Sequence, residues 1–94
     1  MKLKTLENTI NMLQVVREAM IYLELAGGTN VNCEMDEDGD GNQFVDIWEP
    51  SFNSGNTIVV INLRGNDITI TNELNGKITT LPEFKEYLSN GLAL

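Results

Sequence analysis

The sequence has no histidine, one cysteine and only six basic residues among its 94 residues. Without histidine there is no imidazole for acid–base catalysis or for metal ligation. With Cys33 alone, no intrachain disulfide and no multi-cysteine zinc site can form. Fourteen acidic residues give a net charge of −8. That charge disfavours direct binding to nucleic acid or to an anionic membrane, since both require a positive surface.

Long apolar runs are also missing. A membrane-spanning helix needs about 20 apolar residues, and the runs here extend over only a few. Glu7, Asn8 and Asn11 interrupt the apolar segment that a secretory signal would require, so with a lone cysteine we expect a cytoplasmic protein. The length and the lack of a linker or repeat predict one domain, residues 1–94.

A long helix is expected over residues 6–26, which contain neither proline nor glycine. Apolar residues recur there at spacings of three and four, which is typical of a helix with one face on a core. Gly27 and Gly28 then provide the backbone freedom that commonly ends a helix. The side chains predicted to face the core are Leu6, Ile10, Leu13, Val16, Met20 and Leu23, with Met12, Val15, Ala19 and Tyr22 widening that face.

Beyond Gly28 the apolar period changes from that of a helix to that of a strand. Val31, Cys33 and Met35 are predicted to form the buried face of a first strand, with Cys33 a slow-reacting thiol. Residues 43–49 predict a second strand. The segment 51–56 is interpreted as a polar connection with Phe52 exposed.

Three further strands are predicted over residues 57–63, 68–74 and 77–79, which are rich in β-branched side chains. Tight hairpin turns are expected at Gly65-Asn66 and at Asn75-Gly76. Because short turns join consecutive strands, the sheet should be an antiparallel meander.

A short C-terminal helix should begin at Thr80, whose hydroxyl can form a capping box with Glu83, and should end near Ser89. The apolar residues 92–94 either pack back on the core or fray. The predicted fold is α+β: a long N-terminal helix, an antiparallel meander of four or five strands, and a short C-terminal helix, with the helices packed on one sheet face.

The acidic segment 36–42 resembles the opening of an EF-hand calcium loop. Asp36, Asp38 and Asp40 occupy the first, third and fifth positions, and Gly41 the sixth. The twelfth position is Ile47 instead of a bidentate glutamate, and the flanking segments are strands. We therefore expect a solvated hairpin loop without tight calcium binding; a calcium-binding module and an acidic contact surface remain the alternatives.

No basic residue lies between Arg17 and Arg64, and this charge asymmetry is typical either of acidity that keeps a small protein soluble or of a contact surface for a partner. On the second strand, Val45 and Ile47 share one face. If these two face the helices, the aromatic residues of that strand lie on the open face, and aromatic side chains among carboxylates are typical of binding surfaces. The alternatives are that the aromatic residues face the core, or that both faces are buried and one of them lies in a dimer. The predicted partner-binding residues are Glu34, Asp36, Glu37, Asp38, Asp40, Phe44, Asp46, Trp48 and Glu49.

The net negative charge, the acidic segment and the aromatic residues of the second strand together favour a small, acidic, non-enzymatic binding or inhibitor protein without a cofactor. Its expected partner is a basic protein, for example a nuclease or another nucleic-acid-binding protein. Enzymatic function is not expected, because no nucleophile has a histidine to activate it and no phosphate-binding loop is present. Besides the calcium-binding module, a structural or oligomerisation domain that forms a homodimer is the second alternative.

Overall fold

A five-stranded antiparallel sheet with two helices on one face forms the fold. The computed structural model describes residues 1–90. The five strands follow one another in the sheet in chain order, which confirms the predicted meander. The elements are α1 (Leu3–Leu25), β1 (Asn32–Glu37), β2 (Gln43–Trp48), a 3-10 turn (Asn53–Gly55), β3 (Thr57–Arg64), β4 (Asp67–Asn72), β5 (Lys77–Thr79) and α2 (Leu81–Ser89).

The core lies between the sheet and the helices. Helix α1 packs on β2 and β3 and on α2, so the centre of the sheet carries most of the apolar contact. Burial of these aliphatic side chains supplies the main driving force of folding. The buried cluster includes Met12, Val16, Ala19 and Leu23 of α1, Val45 and Ile47 of β2, Val59, Ile61 and Leu63 of β3, and Phe84 and Leu88 of α2.

The predicted core face of α1 is partly wrong. Leu6, Ile10 and Leu13 are 45%, 46% and 42% exposed, whereas Met12 is fully buried. The helix carries two apolar stripes with the same spacings of three and four, and periodicity alone does not say which stripe meets the sheet. The buried stripe includes the small Ala19, which allows a close approach to the strands.

The predicted burial of β1 is also wrong. Cys33 and Met35 pair with Ile47 and Val45 across the β1–β2 ladder, and therefore lie on the helix-covered side of the sheet. Even so, Cys33 is exposed and Met35 is 51% exposed. The reason is that α1 packs on β2 and β3, so β1 extends past the helical layer.

The turns agree with the prediction in part. Gly65 and Asn66 form the predicted two-residue turn between β3 and β4, with Gly65 at a φ of 63°. The turn between β4 and β5 has four residues instead of two, because Asn72 pairs with Lys77. Strand β1 continues to Glu37, which shortens the predicted 36–42 loop to residues 38–42.

Helix α2 begins as predicted at Thr80, whose side-chain oxygen accepts a hydrogen bond from the backbone N–H of Glu83 at 3.3 Å. The Glu83 carboxylate accepts from the Thr80 hydroxyl at 2.8 Å, instead of from the Thr80 backbone. Residues 92–94 lie outside the described residues. Neither helix in the described part of the chain is long and apolar enough to cross a membrane.

The two stripes of α1 give a direct mutational test. Met12→Ala should lower the free energy of unfolding by about 2–5 kcal/mol, because it leaves a cavity in a packed core. Leu13→Ala, at the neighbouring but half-exposed position, should cost less than about 1 kcal/mol. Chemical denaturation of both variants measures the difference, and equal losses would contradict the observed rotation of α1.

The exposure of Cys33 gives a second test. A thiol reagent should label the native protein about as fast as the unfolded chain, because no side-chain layer shields the sulfur. The reaction is followed by absorbance with and without denaturant. Protection of the native thiol by about a hundredfold or more would mean that β1 is covered in solution.

Candidate binding surface

The face of the sheet opposite the helices carries most of the predicted contact residues. In β2, Val45 and Ile47 are buried under the helices. Because side chains alternate along a strand, Phe44, Asp46 and Trp48 lie on the opposite face, where each is half-buried. The two aromatic rings therefore flank one carboxylate on a face that no helix covers.

Strand β1 adds two carboxylates to the same face. Glu34 pairs with Asp46 across the ladder, and Asp36 pairs with Phe44. Directly paired side chains lie about 5 Å apart at their Cβ atoms. We call this group the acidic open face; its residues are Glu34, Asp36, Phe44, Asp46 and Trp48.

The electrostatics of this face centre on Asp46. Partial burial raises the pKa of Asp46 above its ordinary value, and the nearby Asp36 carboxylate raises it further. Both effects disfavour the charged form of the Asp46 carboxylate. A cation placed against Asp46 would offset the repulsion between the Asp46 and Asp36 carboxylates.

A shallow depression lies beside Trp48. Glu34 and Asp46 line it from the strands. Gly55 and Asn56 of the loop after β2, together with Thr57 at the start of β3, form its other side. None of these three residues was predicted as a contact residue from the sequence.

The sequence of that loop indicates a turn, because Asn53 and Gly55 are residue types that tolerate left-handed backbone, but it does not determine the shape of the loop. Asn53, Ser54 and Gly55 have φ values of 47°, 56° and 79°, the left-handed region that non-glycine residues rarely adopt. Phe52, predicted to be exposed, is 1% exposed. The buried ring fixes the start of the loop, and the left-handed residues return the chain to the sheet beside Trp48.

The depression suits a basic side chain. An indole ring binds a cation over its face, and two carboxylates can accept hydrogen bonds from a planar guanidinium or an ammonium group. The depression is open to solvent, so a side chain of another molecule can reach both carboxylates and the indole ring.

Glu49 does not belong to this surface, although it was predicted to. Its side chain is 1% exposed. One carboxylate oxygen accepts from the backbone N–H of Ser51 at 2.7 Å and from the Ser51 hydroxyl at 2.8 Å. The other accepts from the backbone N–H of Thr29 at 2.9 Å and of Asn30 at 3.4 Å. Glu49 therefore joins the loop after α1 to the loop after β2.

The neighbouring Gly28 explains why this join is tight. A Cβ atom at that position would lie 3.3 Å from Cγ of Glu49 and 3.0 Å from the Leu23 carbonyl oxygen. Glycine is thus required for close packing. The hydrogen bonds from Ser51, the largest cause, lower the pKa of Glu49 below its ordinary value, with smaller contributions from Thr29 and Asn30.

The remaining predicted carboxylates also lie off the acidic open face. Glu37 pairs with Gln43 and projects to the helix side of the sheet. Asp38 accepts from the backbone N–H groups of Asp40 and Asn42 at 2.9 Å and 3.0 Å, which stabilises the hairpin loop. The backbone N–H of Asn42 is the main cause of the lowered pKa of Asp38. Asp40 is exposed on the loop.

The three aspartates of the calcium alternative do not converge. Asp36 lies in β1, where its carboxylate accepts from the backbone N–H of Glu37 at 2.8 Å, and the Asp38 carboxylate faces the loop amides. Within residues 1–90, no group of three or more acidic or cysteine side chains is placed to hold a metal ion. The resemblance to an EF-hand loop is thus confined to the sequence.

The Glu49 contact predicts a pH-dependent stability. The folded-state pKa lies below the ordinary value of 4.5, so this contribution is complete above that pH and is lost as the pH falls through the folded-state pKa. Glu49→Gln should therefore destabilise the protein at pH 7, and the difference from wild type should shrink in acid. Denaturation curves across pH measure it.

A matched control is Glu18→Gln on the exposed surface of α1, which should leave the free energy of unfolding nearly unchanged. A difference between wild type and Glu49→Gln that stays constant with pH would contradict the ionised contact.

Comparison of the chain with protein-family models, with curated proteins and with solved structures finds no match. The feature of the described residues that bears on function is therefore the acidic open face. That face consists of two half-buried aromatic rings among three carboxylates, with the depression beside Trp48 at one end.

Proposed function

We propose that this chain is a non-enzymatic binding or inhibitor protein that docks its acidic open face on a basic protein partner. The observation that carries the proposal is the depression in which Trp48 lies beside Glu34 and Asp46. An arginine or lysine of the partner would occupy this depression, with its cation over the indole ring and its N–H groups on the carboxylates.

The partner is inferred from charge. A chain with a net charge of −8 attracts a positive surface at long range and speeds its encounter. Basic surfaces of this kind are typical of proteins that bind nucleic acid. Occupying the surface would compete with the nucleic acid, so we propose a nuclease or another nucleic-acid-binding protein as the target and competitive inhibition as the effect.

The roles within the surface are expected to differ. Carboxylates at the rim act mainly on the association rate, whereas a buried aromatic anchor acts on dissociation. Glu34, Asp36 and the loop residue Asp40 are exposed and would guide the encounter. Trp48 would hold the complex. The exposed Cys33 is compatible with a reducing compartment, and we place the interaction in the cytoplasm.

Trp48 is the only tryptophan of the chain, which makes the proposal measurable without a known partner. A synthetic arginine-rich peptide serves as the probe. Titration with it should change the Trp48 fluorescence, and the affinity should fall as salt is raised. The double change Glu34→Gln and Asp46→Asn should weaken binding by about tenfold or more at low salt, both through slower association and through loss of the direct contacts to the cation.

The control is a pair with the same change of charge elsewhere, Glu18→Gln with Glu86→Gln on exposed positions of the two helices. An equal loss of affinity in this pair would show that net charge alone binds the peptide. Binding that leaves the Trp48 emission unchanged would place the contact elsewhere.

Asp46→Asn alone should raise the melting temperature at neutral pH, since it removes a carboxylate whose pKa the fold raises.

A further inference from the structure

The outer surface of α1 carries an apolar stripe that nothing in the described residues covers. Leu3 is 70% exposed and Ile21 is 37% exposed; between them lie the half-exposed Leu6, Ile10 and Leu13. Single exposed leucines are ordinary on protein surfaces, whereas a continuous row of them marks an interaction surface. We call this row the outer stripe.

The outer stripe faces the uncovered edge of the sheet. The Thr9 hydroxyl donates to the Gln43 side chain of β2 at 2.7 Å, while Asn8 donates to the Gly65 carbonyl at the β3–β4 turn. Thr9 thus marks the β1 side of the helix. At about 100° per residue, Leu6 and Leu13 lie further round the helix on that same side. They are next to β1, which extends past the helical layer.

The spacing of the stripe is that of a helix–helix seam. Positions 3, 6, 10, 13, 17, 20 and 24 alternate by three and four, the a/d pattern with which two helices pack side by side. The first four are the exposed leucine and isoleucine residues of the stripe, and Arg17 and Glu24 occupy two of the others. Met20 packs partly against the core, and the exposed Ile21 lies beside it at the edge of the seam. These two charges determine which arrangement of a partner helix is compatible.

A second copy of α1 fits in antiparallel orientation and not in parallel. A parallel pair would place Arg17 against Arg17, Glu24 against Glu24, and the two N-terminal amines together. An antiparallel pair centred near Leu13 places Arg17 beside Ile10 and within reach of Glu7 of the second copy, and Lys2 beside its Glu24. Opposite charges then meet in both halves of the seam.

Separation of the acidic hairpins favours the same orientation. The hairpin loop 38–42 lies near the N-terminal end of α1, since Gly41 and Asn42 line the same depression as Met1 and Thr5. A helix of 23 residues is about 34 Å long. Antiparallel packing therefore keeps the two most acidic loops at opposite ends, beyond the range of about 8 Å over which charges act at physiological salt.

We propose that two copies of the chain form a homodimer through the outer stripe, with antiparallel α1 helices and Leu13 of both copies beside the twofold axis. The interface is self-complementary, as a twofold dimer requires. It is independent of the proposed binding function, because the acidic open face lies on the other side of the sheet and stays uncovered in both copies.

Sedimentation equilibrium of the full chain tests the proposal. Wild type should be dimeric at concentrations approaching about 1 mM. Ile10→Glu and Leu13→Glu, which place a charge in the seam, should each give a monomer with an unchanged circular dichroism spectrum. Asn11→Glu adds the same charge on the exposed side of α1 away from the stripe and should stay dimeric. A wild-type monomer throughout, or a dimer that survives both stripe variants, would overturn the proposal.

Disulfide trapping tests the orientation, in a Cys33→Ser background that removes the native thiol. Leu13→Cys should cross-link under mild oxidation, because the two residues meet at the axis. Leu6→Cys should not, since antiparallel packing separates the two copies of residue 6 by about 20 Å along the helix, far beyond the Cα separation of about 7 Å that a disulfide tolerates. Efficient cross-linking at Leu6 would contradict the antiparallel arrangement.

Discussion

The rotation of α1 about its own axis is the constraint on which the rest of this structure depends. The helix presents Met12, Val16, Ala19 and Leu23 to β2 and β3. This contact buries Val45 and Ile47, and strand alternation then sends Phe44, Asp46 and Trp48 to the other face. The same rotation turns the outer stripe to solvent and leaves β1 without cover on its helix side. Both proposed surfaces thus result from the same orientation of α1 on the sheet.

A single buried carboxylate connects this packing to the binding surface. Glu49 accepts hydrogen bonds from the loop that follows α1 and from the loop that follows β2, so the end of the helix and the depression beside Trp48 are held in one arrangement. A charged group removed from water must be compensated by hydrogen bonds, and the described side chains leave no buried polar atom unpaired. Glu49 was predicted from the sequence to contact the partner, but it is buried and instead holds the loop that borders the contact surface.

The elements of the fold were predictable wherever local chemistry determines them. Gly65 permits the left-handed turn between β3 and β4, Thr80 caps α2, and the alternation of Val45 and Ile47 with aromatic residues marks β2. The orientation of α1 was not predictable, because two apolar stripes have the same period and only the tertiary contact selects one. Cys33 was misplaced for a related reason: alternation shows that a strand has two faces but not whether anything covers them.

The candidate site was predictable for its strand residues and unpredictable for its loop residues. The strand residues share a face because side chains alternate along each strand and because β1 and β2 pair in a fixed register. Both follow from the sequence once the strands are placed. These residues are Glu34, Asp36, Phe44, Asp46 and Trp48. Gly55, Asn56 and Thr57 join them only through the left-handed residues Asn53 and Ser54. Asparagine tolerates this conformation, but no local preference favours it at Ser54. Strain at that point is tolerated because the buried Phe52 anchors one side of the loop and β3 the other.

The two proposed contacts respond to salt in opposite directions, which follows from their composition. The acidic open face would bind a basic partner by attraction between opposite charges, and salt screens that attraction. The outer stripe would join two chains that each carry a net charge of −8, so salt screens the repulsion between them while apolar burial is retained. The ion pairs in the antiparallel seam offset only part of this effect, since exposed pairs contribute little.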